Sequence, residues 1–215
     1  MGAITHHVEM LWSTPVGIVD IDDDNLFAFY TALISNNAET LKAKQSKSII
    51  NTVDYLHKLQ EFESLCNMVN TECLKYFSDI VFLDATKLAM SSMWANIHDN
   101  TSNHVRHNHP NSYMSGVLYL NVPDDVDPGM LVFTDPRQSN LMFRPDFTAP
   151  SHLSHGKKVF KPKRGRMFLF PSWLMHGVDS FKTNSGQKRI CVSFNYVITS
   201  STHEPTMRFD MKDLI

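Results

Sequence analysis

The sequence is short of several things that would fix its class at once. It has three cysteines, Cys66, Cys73 and Cys191, an odd number with no CxxC pair. That argues against a disulfide framework and a thiolate metal site, and points to a reducing compartment. No apolar run approaches the ~20 residues of a membrane span. Neither charge is in excess: 20 Lys and Arg stand against 22 Asp and Glu, a net charge of -2. Nothing therefore draws the chain electrostatically to nucleic acid or acidic lipid. Internal repeats and low-complexity tracts are missing. The opening MGAITHHVEM lacks the layout of a signal peptide, and His6 stands where a myristoylation signal needs Ser or Thr. The expectation is a cytoplasmic protein with no membrane or nucleic-acid partner. At 215 residues, 42% hydrophobic and 20% charged, it can bury a core in one domain without staples.

The first 87 residues read as helical support. Residues 9–20 suggest an opening strand broken by Pro15. Asp22 to Asp24 offer an N-cap and an acidic first turn for a helix over 21–44, with Leu26, Phe29, Tyr30 and Leu33 at helical spacing. A second helix is predicted over 53–80, where Phe62, Cys66, Val69, Cys73 and Phe77 form an apolar stripe. From residue 88 to 198 short strand-like runs alternate with turn residues: LAMSSMWANIH, SYMSGVLYLNV, GMLVFTD, GRMFLFP, HGVDSF and KRICVSFNYVI. Residues 199–215 read as a tail. This order predicts a β-sandwich or barrel with helices on one face. The stretch 136–163 reads as a long loop of the kind that forms lids and binding segments.

The chemistry concentrates in 104-HVRHNHPN-111. On an extended chain, residues i and i+2 project to one side, so His107 and His109 can converge on an ion with Asn108 facing away. Imidazole suits Fe, Zn, Cu and Ni. A third ligand must come from elsewhere, and His176 in 171-PSWLMHGV-178 is the best placed. Taken singly, each histidine is equally at home as a loop or core residue. His104 has no evident role, and His6, His7, His57, His98 and His203 read as lying outside the site. Further along, Arg189, Cys191, Ser193 and Asn195 share one face of a strand, with Ile190, Val192 and Phe194 on the other. A guanidinium with a hydroxyl four residues along the same face makes a carboxylate-binding pair.

This order of parts resembles the Fe(II)/2-oxoglutarate-dependent oxygenases. RHNHPN followed by SGVLYLN is similar to the prolyl-hydroxylase-like RH-x-D-x-P-N segment and its following strand. The chain also resembles a smaller group of 2-oxoglutarate–Fe(II) oxygenases. Their motifs appear here as Thr14-Pro15-Val16, Trp94-Ala95-Asn96, His107 to Ser112, Ser115 to Tyr119, Phe133 to Arg137 and Phe170 to His176. The resemblance implies a mainly β fold, a double-stranded β-helix (jelly-roll) core with N-terminal helices, in a single domain over 1–215. It implies Fe(II) as the metal, with His107 and His176 as ligands, and 2-oxoglutarate and O2 as cosubstrates. Arg189, helped by Ser193 and Tyr119, would take the distal carboxylate of 2-oxoglutarate. The reaction implied is hydroxylation of a substrate, with release of succinate and CO2; a homodimer is compatible with it.

One departure stands out. The wider superfamily has Asp or Glu where this chain has His109, so either His109 is the third ligand or a carboxylate such as Asp124 or Asp135 arrives from elsewhere. Val117, Leu131 and Phe168 are expected as apolar walls, and Arg137, Arg144 and His152 as contacts to an unknown substrate, with His155 in the same loop. Two other classes fit parts of the pattern: a cupin-type metalloenzyme that uses the histidines without 2-oxoglutarate, and a non-catalytic jelly-roll binding or structural protein. The first would not need Arg189, and the second would show no iron-specific affinity.

Overall fold

The structure is a computed structural model that describes residues 13–46, 49–80, 87–100, 102–124, 127–137, 146, 148–149, 156–182 and 186–199. Strand β1 (Gly17–Asp20) leads into α1 (Asp24–Asn36), α2 (Ala38–Leu41) and the hairpin β2 (Lys42–Ser46) and β3 (Ile49–Thr52). Helix α3 (Glu63–Lys75) follows. The remaining strands are β4 (Leu88–His98), β5 (His104–His107), β6 (Met114–Asn121), β7 (Asp127–Pro128), β8 (Leu131–Thr134), β9 (Lys157–Phe160), β10 (Arg166–Pro171), β11 (His176–Val178), β12 (Phe181–Lys182) and β13 (Arg189–Ile198).

Local chemistry accounts for the helices and for where they depart from expectation. Asp23 caps α1, its carboxylate accepting from the Leu26 amide at 2.9 Å. The helix stops at Asn36 rather than 44, because Asn37 turns both its backbone and side-chain amides back onto the Leu33 carbonyl. Residues 42–46 then join the sheet. The buried stripe of α1 is Phe27, Tyr30 and Ile34, so Phe29, expected inside, is 58% exposed. The second predicted helix begins as two 3-10 turns at Leu56–Lys58 and Gln60–Phe62, and ends in a π-helical turn at Tyr76–Ile80. Its stripe of Phe62, Cys66, Val69, Cys73 and Phe77 is buried as the spacing predicts.

A seven-stranded sheet runs in the order β1-β10-β6-β13-β4-β3-β2, a four-stranded sheet in the order β5-β11-β8-β9, and β12 pairs with β7. The pairings are antiparallel. The strand β9 lies inside the predicted 136–163 loop. Its sequence KKVF has too few apolar residues to show an alternating pattern, and its pairing with β8 places it.

The two-residue period of the strands divides the interior in two. From β4, β6, β10 and β13, the side chains of Ala95, Leu118, Met167, Leu169, Ile190, Val192 and Phe194 pack with those of α1 and α3. Their neighbours Val117, Tyr119, Phe168, Phe170 and Cys191 turn the other way and meet Leu131 and Phe133 of the smaller sheet. Gly116 belongs to this division, since a Cβ there would collide with the Phe194 ring. The result is a jelly-roll core with helices on the outer face of the larger sheet.

Candidate active site

Two strands and a turn assemble the histidines. His107 ends β5 and His176 opens β11, and the two are directly opposite in the antiparallel register, so their side chains share a face. His109 lies two residues past β5, held by its amide donating to the Ser172 carbonyl at 2.9 Å. Beyond it the chain turns at Asn111, whose φ of 64° falls in the left-handed region that asparagine tolerates. Ring centroids are 4.6 Å apart for His107 and His176, 5.0 Å for His107 and His109, and 5.1 Å for His109 and His176. One ligand nitrogen from each lies within 4.8 Å of the others.

The protonation state suits a metal. Nδ1 of His107 is 2.8 Å from the Val105 carbonyl, and Nδ1 of His176 is 2.8 Å from the Leu174 carbonyl. A carbonyl only accepts, so each Nδ1 carries a proton and each Nε2 is left as the ring's ligand atom. Burial, helped by the neighbouring histidines against the Leu174 hydrogen bond, pushes the His176 ring down to about 3. Burial, then His107 and His104, brings His109 down to about 4. Both are neutral near pH 7, the state a ligand needs.

Arg189 opens β13 on the same side of the large sheet and is fully buried. Its Nη1 donates to the carbonyls of Pro128 and Gly129 at 2.9 and 2.8 Å, and its guanidinium lies 5.4 Å from the Phe181 ring centroid. Gly129 is required there: its φ is +67°, and a Cβ would strike Nη1. Among the described residues, the buried Nε and Nη2 have no hydrogen-bond partner and no carboxylate pairs with the group. A buried guanidinium with two free donors is a receptor for an anion. Tyr119 is buried close by; burial pushes its phenol up, against the opposing pull of Arg189, so it stays a hydroxyl. One cavity is lined by the three histidines together with Trp94, Asn96, Tyr119, Leu131 and Ser193. Three convergent imidazoles fit Fe(II), and the free face of Arg189 fits a carboxylate.

Residues 92–195 match the model of the family described as "Putative 2OG-Fe(II) oxygenase". Over these residues, just under half of the chain, the core is similar to the 2OG-Fe(II) oxygenases. The oxygenase also resembles solved structures across most of its length. One is HygX of Streptomyces hygroscopicus with nickel and 2-oxoglutarate bound, at 12% identity and a TM-score of 0.61, covering 86% of this chain and 84% of that one. A second is the non-heme alpha-ketoglutarate-dependent epimerase SnoN from nogalamycin biosynthesis, at 14% identity and a TM-score of 0.61, covering 86% and 79%. A third is the viral collagen prolyl hydroxylase of Paramecium Bursaria Chlorella virus-1, at 12% identity and a TM-score of 0.56, covering 86% and 96%. At these identities the likeness shows the fold. No curated protein matches the sequence. The match supports an oxygenase enzyme that uses Fe(II), 2-oxoglutarate and O2.

Other residues singled out in the sequence fall in varied places. Ser193 lines the oxygenase cavity, and its Oγ accepts from Asn96 Nδ2 at 2.9 Å. Val117 and Leu131 line it too. On β10 Phe170 is at the cavity wall, while Phe168 packs into the same apolar cluster. Asp124 and Asp135 are outside the metal-capable group, which among the described residues consists of His107, His109 and His176. Asp135 is engaged instead by Arg137, whose Nε donates to it at 2.9 Å. That pair is away from the cavity lining, and Arg137 is exposed. Arg144, His152 and His155 lie outside the described residues.

Sequence reasoning set His98 and His104 aside, yet both line the cavity. The signal was available in β4. Trp94, Asn96 and His98 alternate with Met93, Ala95 and Ile97, a polar face opposite an apolar one on a strand next to β13. Asn96 is the hub of that face: its Oδ1 accepts from Asn51 Nδ2 at 2.8 Å and from Trp94 Nε1 at 3.2 Å.

Proposed function

We propose that this oxygenase hydroxylates a C–H bond of a substrate yet to be identified, with His107, His109 and His176 holding Fe(II), and Arg189, Ser193 and Tyr119 binding 2-oxoglutarate. One observation carries the reading: a cluster of three histidines shares a sheet-to-sheet interior with a buried guanidinium that has two nitrogens unpartnered among the described residues. A cupin-type enzyme without 2-oxoglutarate, or a non-catalytic jelly roll, would bury that charge to no purpose, at a cost of several kcal/mol.

When bound, Fe(II) supplies O2 activation, coupling decarboxylation of 2-oxoglutarate to succinate and CO2 with insertion of one oxygen atom into the substrate C–H bond. The protein's own part is orientation, charge and exclusion of water. The carbonyls of Val105 and Leu174 fix two imidazoles by their Nδ1 protons, leaving Nε2 aimed inward. Arg189 meets a carboxylate with Nε and Nη2, a planar pair of donors matched to two oxygens. The Tyr119 hydroxyl, kept protonated by burial, adds a donor. Because Ser193 Oγ already accepts from Asn96, its own proton is free to be given. Val117, Leu131 and Phe170 make the walls apolar.

Further parts of the reading are also proposals. The prime substrate is contacted from the 136–163 segment, through Arg137, Arg144 and His152. The protein works in the cytoplasm, in keeping with three free buried thiols, as a homodimer that binds neither membrane nor nucleic acid. The described residues contain no helix long and apolar enough to cross a membrane. The test is turnover of 2-oxoglutarate to succinate with Fe(II) in air. Succinate formation that needs both is expected, accelerated by the right substrate. Fe(II)-dependent oxidation that proceeds equally without 2-oxoglutarate would refute the reading.

A further inference from the structure

The cavity reaches a side chain that the reading above leaves without a task. His98 closes β4, directly opposite Arg189 in the register with β13. Residues so paired project to one face, and the alternate pair, Ile97 and Ile190, is in the helix-side core. His98 and Arg189 therefore both turn toward the space between the sheets. His98 is 1% exposed and lines the cavity that holds the metal-binding histidines.

Two features distinguish it from a packed core residue. It sits beside a cation, and burial together with Arg189 holds its ring well below the usual histidine range, so the neighbours are a neutral imidazole and an unpaired guanidinium. Its ring is also locked. Nδ1 is 3.0 Å from Ser102 Oγ, and Ser102 is itself fixed, its amide donating to the Asp99 carbonyl at 3.2 Å and its carbonyl accepting from the Phe181 amide at 2.7 Å. When the Ser102 hydroxyl donates to Nδ1, the neutral ring carries its proton on Nε2, on its opposite edge. That Nε2–H makes no hydrogen bond among the described residues.

We propose that His98 is a further 2-oxoglutarate-binding residue, its Nε2–H donating to the same distal carboxylate that Arg189 pairs with. Ser102 is then a positioning residue that selects the donating tautomer. The inference rests on the oxygenase reading and adds a second direction from which the carboxylate is held, so the site favours a dicarboxylate over a keto acid with an uncharged end.

The test is anaerobic calorimetry on Mn(II)-loaded protein with two ligands: 2-oxoglutarate, and 2-oxobutyrate, which keeps the keto acid and lacks the distal carboxylate. His98→Leu is expected to weaken 2-oxoglutarate about 10–100-fold, the range of a hydrogen bond to a charged group. It should leave Mn(II) and 2-oxobutyrate affinities unchanged, and His98→Gln, which restores an N–H, should recover most of the loss. A folded His98→Leu protein that binds 2-oxoglutarate like the wild type, or that loses both ligands equally, overturns the inference. If His98→Leu does not fold, Ser102→Ala decides: a several-fold loss confined to 2-oxoglutarate supports it, and no change refutes it. Wild-type protein that binds neither ligand would sink the oxygenase reading, and this inference with it.

Discussion

Strand β13 has two faces with opposite logic. Ile190, Val192, Phe194 and Tyr196 enter a core closed by α1 and α3, where apolar side chains meet apolar side chains. Arg189, Cys191, Ser193 and Asn195, one residue out of phase, enter the space between the sheets, where a guanidinium, hydroxyls and amides are buried beside histidines. β4 repeats the division with Met93, Ala95 and Ile97 against Trp94, Asn96 and His98. The first face stabilises the fold by burying apolar area. The second spends some of that stability on desolvated polar groups that await ligands. Stability and function are thus separated by a single residue step along the same strands.

Substitutions on the two faces should part company. The largest effects come from a matched pair. His176→Ala removes one of the three proposed ligands, and Fe(II) affinity should fall by more than the roughly 10–100-fold that a supporting residue costs, while the thermal midpoint of the metal-free protein changes little. Phe194→Ala should do the reverse, costing about 3–5 kcal/mol in urea unfolding while the folded fraction still binds Fe(II). Next is Arg189→Met. It should weaken 2-oxoglutarate by roughly 100-fold, yet leave the apo-protein no less stable, because an unpaired buried charge is replaced by an apolar chain. Calorimetry and a denaturant curve on one sample read both.

A smaller effect is expected at His109. In the proposed three-histidine site no carboxylate ligand offsets the metal's charge until 2-oxoglutarate arrives. His109→Asp should therefore raise Fe(II) affinity roughly tenfold in the absence of 2-oxoglutarate, and narrow the gain that 2-oxoglutarate brings. Competition with a chelator, with and without 2-oxoglutarate, measures that gap.

The smallest effect is on pH. His98, His109 and His176 all have folded values below the usual 6.5. Below about pH 6.5 the unfolded chain binds protons that the folded chain refuses, so the metal-free protein should lose stability as pH falls from 7 to 5. Urea midpoints across that range check the sign, and His98→Gln should flatten the slope.

Much of this division was legible in the sequence. Alternation in KRICVSFNY separated the faces of β13, and the spacing of His107, His109 and His176 marked the cluster. The helix stripe from Phe62 to Phe77 was equally plain, because a 3.6-residue period over many turns leaves little choice. Other parts were hidden for physical reasons. The ends of α1 and the β2–β3 hairpin depend on a cap at Asn37 and on pairing with β4, which a local pattern does not reveal. β9 is a strand because β8 pairs with it, not because KKVF has strand periodicity. His98 was set aside because its importance lies in its partner across the sheet, Arg189, 91 positions further along the chain. Asp135 was a plausible ligand by composition and is instead occupied by Arg137 two residues on.

The central claim is that the three histidines and Arg189 act on one bound pair, Fe(II) and 2-oxoglutarate. Anaerobic addition of Fe(II) to the apo-protein, followed by 2-oxoglutarate, tests it most directly through the visible charge-transfer band of a chelated keto acid. The account predicts a band that appears only with both present, is lost in His176→Ala, and needs far more 2-oxoglutarate in Arg189→Met. Tight Fe(II) binding with no band at any 2-oxoglutarate concentration would contradict it.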